Sequence, residues 1–163
     1  MRRFASALIV SLGLSGLQQV TAQTGSDSIE YDKAVARVWG SITSTEHVVR
    51  ACMKKAPKSK KQIEAAYREW KTKYAELIAE IDTRIDRVMN SSGAYSADEL
   101  AARKADVLKR GADRYEAGLA TEPPEQVKRE CELLPGYFTT SSFVLETHFA
   151  PELALIRARP LGK

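Results

Sequence analysis

Glycine and proline are scarce in this chain, at 9 and 6 of 163 residues. Few turns are therefore encoded, which favours long helices over a many-stranded sandwich or barrel. Aromatic residues make up only 7%. Histidine occurs twice, at His47 and His148, and cysteine twice, at Cys52 and Cys131. No CxxC redox motif, haem-attachment CxxCH or cysteine-rich zinc site can be built from so few. There is no HExxH helix, no GxSxG elbow and no glycine-rich phosphate loop. Glu46, Glu146 and Glu152 flank the histidines, but their spacing matches no ligand set. Neither a metal nor another cofactor is expected, and no catalytic residues are assigned.

Charge is ample, at 28% of residues, and 44% are hydrophobic. That balance supports a packed core rather than a disordered chain. The first stretch stands apart. Arg2 and Arg3 precede an apolar run from Phe4 to Leu17, and Val20-Thr21-Ala22 offers small residues for cleavage. This order reads as a cleavable signal peptide over residues 1–22, too short for a comfortable membrane anchor. Residues 23–28 read as a flexible lead and 29–163 as a single helical domain. No second long apolar run follows, so the mature chain should carry no permanent membrane span. Removing Arg2 and Arg3 takes the net charge from +4 to +2. In an exported chain the two cysteines should pair, because thiols oxidise outside the cytosol.

The helical period runs through most of the remainder. Tyr31, Val35, Val38, Ile42, Thr45, Val49 and Cys52 keep one face of a first helix inward. Gly40 and the Ser41-to-Thr45 cluster weaken it, and Thr43 with Glu46 offers a capping box for a restart. The unbroken apolar phase favours a continuous or kinked helix. Pro57 ends it. Ser59 and Gln62 have capping-box spacing for a second helix, carrying Ile63, Tyr67, Trp70, Tyr74, Leu77, Ile81, Ile85 and Val88 to about Asn90. Glu64 with Arg68, Glu69 with Lys73 and Glu80 with Arg84 mark its exposed face. Tyr67, Trp70 and Tyr74 read as core rather than as a contact patch.

Ser96 and Glu99 form a further capping box, opening a third helix with a thin apolar side to about Leu119. A fourth helix should carry Val127, Cys131 and Leu134 and stop at Pro135-Gly136. Between Tyr137 and Phe149 a strand pair stays open beside a final broken helix. The expected fold is all-α, a compact four- or five-helix bundle. One inter-helix disulfide would tie Cys52 near the end of helix one to Cys131 in helix four.

The strongest local signal is a run of cations. From Arg50 to Lys73 nine basic residues face only Glu64 and Glu69, a net +7 that leaves −5 on the rest of the mature chain. Lys54 and Lys55 suit a helix C-terminus. Lys58, Lys60 and Lys61 sit where a new helix starts, and there the dipole favours an anion instead. Lys54, Lys55, Lys58, Lys60 and Lys61 are thus the candidate anion or partner contacts, with a merely solubilising turn as the alternative.

The layout resembles small bacterial exported helical proteins, among them periplasmic immunity proteins that neutralise toxins. The shared traits are a signal peptide, helical hairpins and two cysteines, and no residue roles carry over. The expected function is a periplasmic or secreted binding protein acting through a protein or anionic envelope contact surface, with an inhibitor or immunity-type role as one form of it. Nucleic acid fits the charge but not the compartment. A small enzyme acting on a cell-wall polymer, or a self-associating envelope subunit, are the alternatives.

Overall fold

A computed structural model describes residues 18–140 and 143–161, with side chains described from residue 27 onward. Residues 1–17, the body of the expected signal peptide, lie outside the described residues. All described elements are helical, and no strand forms among them. In chain order they are α1 (Gln18–Lys55), α2 (Lys60–Lys73), α3 (Ala75–Met89), α4 (Ala97–Thr121), α5 (Pro124–Tyr137), α6 (Leu145–His148) and α7 (Ala150–Arg157), with a short 3-10 turn at Pro57–Ser59. The chain divides into two units, Met1–Glu30 and Tyr31–Lys163. In the first, the described residues form the opening of α1.

Among the described residues the fold is all-α as expected, with seven helices rather than four or five. Helix α1 is already helical at Gln18 and runs through residues 23–28, the expected flexible lead. No proline interrupts that stretch, and one glycine costs a helix only about 1 kcal/mol. The weak Gly40–Thr45 stretch does not break α1 either. Thr43 Oγ1 donates to the carbonyls of Trp39 and Gly40, both at 3.0 Å, and Thr45 Oγ1 donates to Ser41 O at 3.0 Å. This back-bonding satisfies the hydroxyls inside the helix and removes the cap that Thr43 would have offered.

The long second helix is instead two, joined at Tyr74. Its φ of −103° and ψ of 14° depart from helical values, while its N–H still donates to Trp70 O. The apolar phase survives the bend, so Trp70, Tyr74, Leu77, Ile81 and Ile85 all remain buried. At the other end, α5 runs through Pro135 to Tyr137 rather than stopping there. Proline in the final turn forfeits a single backbone bond. The segment after it forms α6 and α7, not a strand pair. Phe149, with φ −111°, separates them, and Pro151 fits the first turn of α7.

One buried cluster unites these helices. Val35, Val38, Val49 and Cys52 of α1 meet Ile63, Ile81, Val127, Leu134, Leu145 and Ile156 from the others. Each fully buried aliphatic side chain contributes about 1.5–3 kcal/mol. Trp70 Nε1 donates to Phe143 O at 2.8 Å, so its polar edge is satisfied inside the core. Cys52 and Cys131 are joined by the expected disulfide, linking α1 to α5.

Two helical positions depart from their expected roles. The Glu80–Arg84 spacing predicts an exposed pair, yet Arg84 is only 4% exposed. Its guanidinium donates to Glu80 Oε1 at 2.9 and 2.7 Å, to Tyr31 Oη at 3.0 Å and to Arg159 O at 2.9 Å. Arg84 follows the stripe of Leu77 and Ile81 by the helical period, which is why it turns inward. It fastens α3 to α1 and to the C-terminal segment.

Helix α4 is the second. Its Ser96–Glu99 capping box forms, yet none of its residues is buried. It is held by Leu108 and Leu119, partly buried against the core, and by ion pairs, Lys104 with Asp82 and Asp86 at 2.8 Å each and Lys54 with Glu116 at 2.7 Å. Burial works against the Lys104 ammonium, but hydrogen bonds to Asp82 and Asp86 hold its pKa above the usual lysine range. Gly111 lets α4 approach α1. A Cβ there would stand 3.0 Å from His47 Nε2.

Candidate functional site: the basic turn and its groove

The α1–α2 turn is fixed by backbone bonds rather than by a side-chain cap. Ala56 N–H donates to Cys52 O at 2.8 Å, and Ser59 N–H to Ala56 O at 3.0 Å. Ala56 is buried, so the turn is rooted in the core. The expected Ser59–Gln62 capping box does not form. Ser59 has φ −93° and ψ 0°, because the 3-10 turn holds it away from the extended backbone that an N-cap needs. The first turn of α2 consequently carries neither a side-chain cap nor an acidic residue.

The five candidate lysines all fall on this turn and the helix ends beside it, but they are not equivalent. Lys54 is committed to Glu116 of α4 at 2.7 Å. Lys60 lies 3.9 Å from Glu64 one helical turn on, a loose pairing. Lys55, Lys58 and Lys61 are exposed and have no carboxylate partner among the described residues. The turn therefore presents three uncommitted ammonium groups around an uncapped helix start. Cys52 lies on the last turn of α1, so the disulfide anchors the same end to α5.

No family model matches this chain, nor does any curated protein or solved structure. Its chemistry must be read from its own residues.

Beside the turn, α1 and α2 enclose an open groove of about 610 Å³ that the linear sequence did not reveal. Val49 and Met53 lie along it, with Glu46, Arg50, Arg68 and Lys71 among the charged lining. A second depression of about 480 Å³, towards α4, shares Arg50, Met53 and Glu64 with it. Arg50 Nη2 pairs with Glu46 Oε1 at 2.6 Å. Their i,i+4 spacing was visible in the sequence, but nothing local placed them opposite α2.

Tyr67 sits in this groove, stacked on Trp70 at 6.0 Å between ring centroids. Burial, reinforced by the charge of Glu46 and opposed by Arg50, pushes its phenol up to about 12. At neutral pH Tyr67 therefore remains a neutral hydroxyl rather than a base. Its pKa in the folded chain exceeds the unfolded value near 10, so its contribution to stability is complete below pH 10 and lost as pH rises through 12. Tyr67→Phe should show a shallower loss of stability between those pH values than the parent protein. Denaturant midpoints measured at intervals across that range check this, and parallel curves would contradict it.

The two histidines do not come together in a ligand cluster. His47 is half-buried against Gly111, and His148 is exposed with its ring edge-on to Phe149. Among the described residues no group of three or more His, Cys, Asp or Glu could hold a metal ion.

Proposed function

We propose that this is an exported binding protein whose α1–α2 turn docks onto an anionic surface of an envelope component. The observation that carries this reading is the trio Lys55, Lys58 and Lys61, uncommitted around the uncapped start of α2. The Lys60 N–H is already bonded to Pro57 O, so the ammonium groups rather than open backbone donors set the charge of the ligand. The disulfide and the buried Ala56 hold the turn in shape before contact, which lowers the ordering cost of binding. A disulfide also suits an oxidising compartment, and no described helix is long and apolar enough to cross a membrane. The inhibitor or immunity-type role belongs to this same proposal, because such proteins act through a surface.

The test is cross-linked capture from envelope extract by the parent protein and by a Lys55→Glu, Lys58→Glu, Lys61→Glu variant. The parent should retain a component that the variant loses. Raising the salt to about 0.5 M should weaken that capture, because exposed charges are screened beyond a few ångströms. Equal capture by both forms would remove the turn from the interface. Sequencing the N-terminus of envelope-derived protein tests export, with Gln23 as the expected first residue.

A further inference from the structure

A different part of the molecule carries a second binding feature. Helices α1, α4 and α5 enclose a cavity of about 280 Å³ beside the disulfide. Val48, Leu119, Val127, Leu134 and Phe143 give it an apolar interior. Its polar residues are Glu122, Gln126, Glu130, Tyr115 and Tyr137, and no lysine or arginine lines it. This is unusual for the molecule. Four other depressions each present a cation, respectively Arg68, Lys60, Arg114 and Lys55. Glu122 and Glu130 are exposed, so their carboxylates stand at the rim rather than in the interior. Glu130 already accepts a hydrogen bond from Tyr137 Oη at 3.1 Å, while no ion pair engages either carboxylate among the described residues.

We propose that this cavity binds a small amphiphile with a short apolar body and a cationic head, of the alkylammonium class. At roughly 30 Å³ for each water-sized group, the space takes about nine such groups, enough for an eight-carbon chain with its head at the mouth. The apolar interior rewards burial of the chain, and the carboxylates at the rim select the charge of the head. Tyr115 and Leu119 come from α4, the helix with no buried residue. Leu119 is only partly buried against the core, so the α4 wall is the one whose displacement admits the ligand. The cavity shares no lining residue with the lysine-rich turn.

The experiment titrates the purified protein with octylammonium, octanol and octanoate, followed by calorimetry. The chain as a whole is positive, at +4, so indiscriminate attraction would favour octanoate. The expected result is saturable binding with octylammonium about tenfold tighter than octanoate, about 1.4 kcal/mol. Replacing Glu122→Gln and Glu130→Gln together should erase that preference while leaving octanol binding unchanged. Leu119→Trp should fill the space and weaken all three ligands. The two glutamates are exposed, so their variant should fold, and its unchanged thermal transition would establish that the lost preference is local. Absence of saturable binding, octanoate binding as tightly as octylammonium, or a cation preference that survives both Gln substitutions would overturn the proposal.

Discussion

Replacing Cys52 and Cys131 together by alanine is expected to destabilise the protein by about 4 kcal/mol, within the 2–5 kcal/mol usual for a native disulfide. The bridge closes a loop with a sequence separation of 79, so the unfolded chain loses much freedom when it is present. Both residues are also nearly inaccessible, at 3% and 2%, so their removal thins the core as well. With a urea slope of about 2 kcal/mol per molar, the midpoint should fall by roughly 2 M. The same shift should appear in the parent protein on reduction, once the buried bond has been opened in denaturant. A shift below about 0.5 M would mean that packing alone holds α5 against α1.

Arg84→Met should be the most damaging single substitution on a helix face, costing about 3–5 kcal/mol as for other broken buried ionic contacts. Methionine fills much of the volume but leaves Tyr31 Oη, Arg159 O and Glu80 Oε1 without their donor. The Glu80 carboxylate retains partial exposure, so the cost should sit at the lower end of that range. Arg84→Lys should recover only part of the loss, because one ammonium cannot reproduce the planar fork that reaches three separate acceptors. Urea midpoints of the two variants against the parent decide this. Equal stability of all three would show that the arginine network is ornamental.

Those two sites mark what the sequence could and could not disclose. The disulfide followed from an even cysteine count after a signal-like segment, and the apolar stripes of α1, α2 and α3 followed from simple periodicity. Burial of Trp70, Tyr74, Leu77 and Ile81 was readable for the same reason. Arg84 was not, because an acid four residues before a base looks identical on an exposed face and in a buried network. Only the approach of Tyr31 and Arg159, distant in sequence, separates the two cases. The bend at Tyr74 and the passage of α5 through Pro135 are local departures that cost one backbone bond or less, too small for residue patterns to register. Ser59 kept the composition of a cap but not its backbone, since the preceding proline turn set a different ψ.

The candidate site divides in the same way. A lysine-rich turn was evident from charge alone. That Lys54 would be taken up by Glu116, leaving Lys55, Lys58 and Lys61 uncommitted, depended on where α4 came to lie. The groove around Arg50 and Tyr67 and the cavity beside the disulfide likewise arise between elements far apart in sequence. Such concave features are properties of packing, and the linear order of residues holds no direct record of them.

Helix α4 lacks buried residues and lies wholly between the two bridged cysteines. A protease that clips it would therefore cut a covalent ring rather than an open thread. The severed halves would still migrate as one species without reductant and would part only once thiol was added. Cleavage within this helix, which has no buried residue, thus releases nothing.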